Sequence, residues 1–259
     1  MRLPMPSVAE VRAVGQPGSV LGRVEAETWA GRLYMRRVSP YFTRLLIPTR
    51  ITANGVTWLM VVSGIAAAAA LTITGLTGAV LAMLLVQLQL LLDCSDGEIA
   101  RWRQATSPMG IYLDRIGHFV TEAALPIALG IRADGGWGEI AGWTTVGLLV
   151  AVLVLLVKSE SDLVHVARAF AGRPRLDYDT EAAPRHSGMA GVRRLMRLAP
   201  FYRAFVTMEF SLLAGAAALV DRQAGDLAGS RGLLLFLVAA VGVTVVGHLL
   251  SIIASSRLR

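Results

Sequence analysis

Six stretches of predominantly apolar residues, most of them near the roughly 20 residues that carry a helix across a bilayer, limit what this chain can fold into. They run from about Thr52 to Thr74, Gly78 to Arg101, Met109 to Ile131, Ile140 to Asp162, Tyr202 to Val220 and Gly232 to Ala254. A backbone in hydrocarbon must satisfy its own hydrogen bonds, so each stretch predicts a helix. With 54% hydrophobic and 17% charged residues, the composition excludes a disordered chain and an ordinary soluble domain. The expected fold class is an all-α integral membrane protein with six transmembrane helices.

The segments outside the spans set the layout. Residues 1–22 contain Pro and Gly and read as a loose N-terminal tail. Residues 23–46 mix Trp29, Leu33, Tyr34, Phe42 and Leu45 with Arg32, Arg36, Arg37 and Arg44, which suits an amphipathic helix in the headgroup plane, kinked or ended near Pro40. Residues 47–259 form the six-helix domain. Eight arginines interrupt residues 1–50, so no signal-peptide h-region is expected. Loop charge orients the bundle. The segment before span one, the Arg101/Arg103 loop and the Lys158–Pro200 loop are basic, whereas only Arg132, Arg222 and Arg231 fall on the other side. By the positive-inside rule both termini are cytoplasmic, as is the loop between spans two and three. The net charge of +7 then points to anionic lipid rather than nucleic acid. Trp58, Trp137 and Trp143, with Trp29, read as interface anchors. Cys94, the single cysteine, excludes an internal disulfide and reads as a small packing residue.

The costliest residues stand at the end of span two and the start of span three. Asp93, Asp96, Gly97 and Ala100 follow at i, i+3, i+4 and i+7, and so share one helix face. Gly110, Asp114 and His118 follow at i, i+4 and i+8 on the next helix, which Ser107 is placed to cap and Pro108 to open. The two faces can meet across an antiparallel pair, where Gly97, Ala100 and Gly110 remove bulk. Three converging carboxylates repel one another unless protons or cations neutralise them. Oxygen-rich ligation favours Mg²⁺ or Mn²⁺, and two such ions can clamp a pyrophosphate. The bland alternative is a set of helix-end charges salt-bridged to Arg101, Arg103 and Arg115.

Asp93-x-x-Asp96-Gly97-x-x-Ala100-Arg101, eight residues, then Gly110-x-x-x-Asp114-x-x-x-His118 resembles the signature of the CDP-alcohol phosphotransferases, D-x2-D-G-x2-A-R-x8-G-x3-D-x3-D. Every spacing agrees, and every identity except the last. Upstream, Thr52-Ala53-Asn54-Gly55-Val56-Thr57 is similar to the family's T-P-N-x-x-T, with Ala53 where proline is usual. The resemblance implies a membrane enzyme in phospholipid biosynthesis, commonly homodimeric, that transfers a phosphoalcohol group from a CDP-linked donor to an acceptor hydroxyl with release of CMP. It implies two divalent cations held by Asp93, Asp96, Asp114 and the position of His118. It also places Asp96, Gly97, Ala100, Arg101 and Gly110 at the CDP moiety, and Asp114 and His118 in catalysis. The expected setting is a bacterial inner membrane with the site facing the cytoplasm. CDP-diacylglycerol is the expected donor and a small hydroxyl compound the acceptor.

His118 departs from the signature. A neutral imidazole can still accept a proton or bind a divalent ion, and nitrogen in place of a carboxylate shifts preference toward Mn²⁺ or a softer metal. The alternatives are a degenerate protein that binds CDP-alcohol or nucleotide without turnover, and a histidine merely hydrogen-bonded in the bundle. An ion transporter is disfavoured, since the aspartates sit at the cytoplasmic helix ends and the middles of spans one and six carry no ionisable residue. Arg168, Arg173, Arg175 and Arg185 read as lipid contacts before they read as an acceptor site. Glu160 and His165 read as solvated or packing residues, and His186 and His248 show no partner pattern.

Overall fold

The computed structural model describes residues 5–18, 30–174, 203–254 and 258. Among these residues the chain is helical, without strands. The helices are α1 (Val8–Gly15), α2 (Arg36–Leu46), α3 (Ala53–Leu71), α4 (Leu76–Trp102), α5 (Pro108–Asp134), α6 (Gly142–Phe170), α7 (Thr207–Ala224) and α8 (Ala228–Ala254). Four of them, α3, α4, α6 and α8, are long and apolar enough to cross a membrane. Of the other two stretches expected to span, α5 carries Asp114, Arg115, Glu122, Arg132 and Asp134, and the 18 residues of α7 include Glu209, Asp221 and Arg222. Trp29, Arg175, Arg185, His186 and the rest of the basic loop to Pro200 lie outside the described residues.

Local chemistry sets the helix ends. Thr52 caps α3, its side chain accepting from the Gly55 N–H at 3.0 Å. Ser107 caps α5 through the Gly110 N–H at 3.1 Å, and Pro108 takes the first helical position, where a missing N–H costs nothing. The turn after α5 uses Gly135 at φ 110°, a left-handed position that a side chain would disfavour. Asp134 then reaches across that turn. Its carboxylate accepts the Ala141, Trp143 and Thr144 N–H groups that open α6, at 2.8, 3.0 and 2.8 Å.

In a membrane the interior cannot be held by apolar burial alone, so close packing and buried hydrogen bonds matter more. A Cβ at Gly117 would sit 2.4 Å from Met60 Cε, and one at Gly147 would sit 2.4 Å from the Pro126 carbonyl. These glycines bring α5 against α3 and α6. Leu71, Val86, Leu129, Val154, Phe210 and Leu237 fill the common interior. At the end of the bundle away from the aspartates, the fully buried Arg132 guanidinium donates to the Ile73 and Gly75 carbonyls at 2.8 and 3.0 Å and to Ser230 Oγ at 3.1 Å. It lies 3.5 Å from Asp221 Oδ2, so one residue ties the α3–α4 turn to α5, α7 and α8.

The N-terminal segment differs from its sequence reading. Residues 8–15 form a helix where a loose tail was expected, and Ser7 and Glu10 make a reciprocal capping box. The chain also runs through Pro40 without ending: Pro40 lies inside α2, which follows a π-helical turn, Gly31–Met35. Proline leaves the carbonyl four residues back without its helical donor. That carbonyl belongs to Arg36, and Gln16 Nε2 donates to it at 2.7 Å. The buried face of α2 is Ser39, Pro40 and Thr43, while Val38, Tyr41 and Leu45 are exposed.

Candidate functional site

Helices α4 and α5 bring the two halves of the aspartate motif together. His118 Nε2 lies 3.0 Å from Asp93 Oδ1 and 3.6 Å from Asp114 Oδ1. The three side chains are partly exposed, at 25% for Asp93, 44% for Asp114 and 34% for His118. One donor atom from each falls within 4.8 Å of the others, so two carboxylate oxygens and one imidazole nitrogen fit a single divalent cation. The cluster opens into a cavity of about 480 Å³.

Asp96 stands apart from this trio. It is 8% exposed and accepts the Thr57 hydroxyl at 2.7 Å. Gly97, Ala100, Arg101 and Gly110 likewise do not line the cavity that holds Asp93, Asp114 and His118. A Cβ at Gly97 would meet the Arg101 guanidinium at 3.1 Å, and one at Gly110 would meet Asn54 Oδ1 at 3.3 Å. Gly110 therefore faces the Asn54 of the upstream motif, as Asp96 faces its Thr57. The three motif segments converge on one end of α3, α4 and α5.

The bland reading needed arginines bridging the aspartates. Arg103 instead donates to the Ile47, Thr49 and Ile51 carbonyls, and Arg115 is ion-paired with Asp162. Arg101 Nε reaches back to the Gly15 carbonyl at 2.6 Å.

Several contacts near the site escaped the sequence reading. Glu98 occupies a variable place in the motif yet is fully buried, accepting from Gln16 Nε2 at 2.8 Å, Ser39 Oγ at 2.5 Å and Thr43 Oγ1 at 2.6 Å. The Ser7-x-x-Glu10 pattern could have revealed α1, but no sequence pattern links Gln16 to Glu98 across 82 residues. His248, read as lacking a partner, has Nδ1 2.9 Å from Glu160 Oε2, an α8-to-α6 pairing invisible to local spacing. Lys158 Nζ lies 3.0 Å from Glu122 Oε2. Cys94 is buried and forms no disulfide.

Helix spacing at a membrane end, capping by Ser107 and the pairing of Thr57 with Asp96 put the signature in its expected frame. Residues 50–182, just over half of the 259, match the family model for CDP-alcohol phosphatidyltransferase. The chain belongs to that family. No curated protein matches it. The family transfers phosphoalcohol groups from CDP-alcohols in membrane lipid synthesis and is generally dependent on divalent metal. The matched segment runs from just before α3 to beyond α6, and so contains Asp93, Asp96, Asp114 and His118.

Proposed function

We propose that the protein transfers a phosphatidyl group from CDP-diacylglycerol to an acceptor hydroxyl, releasing CMP, in the cytoplasmic leaflet of a bacterial inner membrane. The observation that carries this reading is the three-donor cluster of Asp93, Asp114 and His118 opening into a cavity, in a chain of this family. The reading includes six spanning helices, with α5 and α7 completing the bundle, and cytoplasmic termini in accord with loop charge. It also includes a homodimer, as the family resemblance implies, and α2 lying in the headgroup plane, supported by exposed Val38, Tyr41 and Leu45. The 27 residues of α4 extend about 40 Å at 1.5 Å per residue, about 10 Å longer than the hydrocarbon core. Its last turns, with Asp93 and Asp96, then have headgroup depth available to them.

Two divalent cations, Mg²⁺ or Mn²⁺, are assigned to Asp93, Asp96 and Asp114. When bound, they would neutralise the donor's phosphates and the charge that develops as CMP leaves. In the transfer the acceptor oxygen attacks the lipid-bearing phosphorus, the bond to the bridging oxygen breaks, and CMP departs with that oxygen. A lone pair of the imidazole serves either a cation or the proton, not both. We assign it to the acceptor's proton, since oxygen ligands suit hard cations and imidazole suits proton transfer near neutrality. Asp93, 3.0 Å from Nε2, orients the ring and stabilises its protonated form. The family resemblance assigns Gly97, Ala100, Arg101 and Gly110 to the cytidine diphosphate, and Gly97 packs closely on Arg101 as Gly110 does on Asn54.

The test incubates purified protein with Mn²⁺ or Mg²⁺, CDP-diacylglycerol and a panel of acceptor alcohols, and follows CMP by mass. Acceptor-dependent CMP supports the assignment. Binding of cytidine nucleotide without CMP release from any acceptor replaces it with a catalytically degenerate binding protein.

A further inference from the structure

Position 98 is unspecified in the signature, and this chain places there a fully buried glutamate, one residue after Gly97 and three before Arg101. An apolar residue would fill that place on α4 without the desolvation cost of a carboxyl. Three donors offset the cost, and all three belong to the segment ahead of the transmembrane bundle. They are Gln16 Nε2 at 2.8 Å, Ser39 Oγ at 2.5 Å and Thr43 Oγ1 at 2.6 Å.

What the carboxyl fixes is the end of α1. Gln16 is the C-terminal cap of that helix, and its amide also donates to the Arg36 carbonyl at 2.7 Å, which Pro40 deprives of a helical donor. Gly15 packs directly on Glu98, where a Cβ would stand 3.1 Å from Glu98 Cγ. The Gly15 carbonyl is among the last of α1, without an intrahelical donor and at the negative end of the helix dipole. It accepts Arg101 Nε at 2.6 Å. The guanidinium so held lies against Gly97, with Nη1 and Nη2 3.1 and 3.2 Å from where a Cβ would be.

An arginine fixed before its ligand arrives loses less side-chain entropy on binding. The Gly15 carbonyl can fix Arg101 only if the end of α1 is itself fixed, which is what the Gln16–Glu98 bond does.

We propose that Glu98 and Gln16 are positioning residues for cytidine diphosphate, acting through the Gly15 carbonyl on Arg101. The proposal rests on the reading above that gives Arg101 to the CDP moiety. Its test titrates full-length protein with CDP in the presence of Mn²⁺ by calorimetry, and measures KM and kcat for CMP release from CDP-diacylglycerol. Gln16→Ala should weaken CDP affinity and raise that KM by about fivefold to tenfold, the effect of one hydrogen bond, with a smaller change in kcat. Glu98→Ala should do at least as much. Glu98→Gln should stay near the parent, because its amide oxygen still accepts from Gln16 and Ser39 and the Thr43 hydroxyl can accept from its N–H.

The deciding comparison is made in an Arg101→Ala background, where Gln16→Ala should add little further loss of CDP affinity, as for a residue that acts through Arg101. Additive losses in the double variant, or parent-like CDP affinity in Gln16→Ala, overturn the positioning role. A parent protein that binds CDP but releases no CMP removes the transferase reading, while the affinities still decide this one. A parent that does not bind CDP overturns both.

Discussion

The Thr57 hydroxyl donates to Asp96 Oδ2 at 2.7 Å, joining the first turns of α3 to the aspartate motif 39 residues later. This bond helps to fix the orientation of a buried carboxylate. Thr57→Ala should reduce CMP release about tenfold or more, in line with the roughly 1.5–3 kcal/mol of a hydrogen bond to a charged group. Thr57→Ser, which keeps the donor, should stay near the parent rate.

His118→Asp restores the carboxylate of the family pattern and should retain transferase activity, whereas His118→Ala should lose most of it. Equal CMP release by His118→Ala and the parent would remove the imidazole from the chemistry. Manganese titration by electron paramagnetic resonance separates the roles: a base-only histidine leaves Mn²⁺ affinity nearly unchanged in His118→Ala.

Exhaustive chelation should abolish turnover, and added Mn²⁺ or Mg²⁺ should restore it. Asp93→Asn and Asp114→Asn should each weaken Mn²⁺ binding, because each removes a carboxylate from the three-donor cluster. Turnover that persists without divalent cation would contradict the metal assignment.

Glu98→Ala removes the acceptor shared by Gln16, Ser39 and Thr43 and should destabilise the docked N-terminal segment by about 3 kcal/mol. Hydrogen exchange should rise first across residues 8–15, ahead of the transmembrane helices. Uniform protection in the variant would show that α1 is held by other contacts.

Asp134 lies beyond the predicted end of span three at Ile131. Burial would raise its pKa, but the Thr144 hydroxyl and the Ala141, Thr144 and Trp143 N–H groups outweigh it and hold the carboxyl below the usual range. A folded value below the unfolded one, about 3.9, stabilises the fold fully above that unfolded value, and the contribution disappears as pH falls through the folded value. Asp134→Ala should therefore lower stability by about 1 kcal/mol at neutral pH, as loss of a helix cap does, and match the parent at the acid end. Melting of both proteins in detergent across pH 2–7 measures the difference.

Much of the site can be read from spacing because helices impose it. Asp93 and Asp96 on one face, and Asp114 and His118 on another, follow from intervals of three and four, and the short 103–107 connection makes the two helices neighbours. The start of α5 is legible for the same local reasons, in Ser107 and Pro108. What spacing does not carry is pairing between distant helices. Glu160 with His248, Lys158 with Glu122, and Arg115 with Asp162 depend on how α5, α6 and α8 rotate about their axes, which the apolar pattern of a membrane helix leaves poorly determined. The α1 helix was missed for a different reason: Pro and Gly in residues 1–22 outweighed a capping box, and the partner that stabilises it lies on α4.

The Gly15 carbonyl, held by Arg101, ties the amino-terminal arm to the motif that the family resemblance places against cytidine. Grafting the membrane bundle behind a foreign leader would thus change more than targeting. It would take the Gly15 carbonyl from Arg101 and the Gln16 amide from Glu98 together, so the arm and the signature should behave as one inherited unit in any chimera built from this chain.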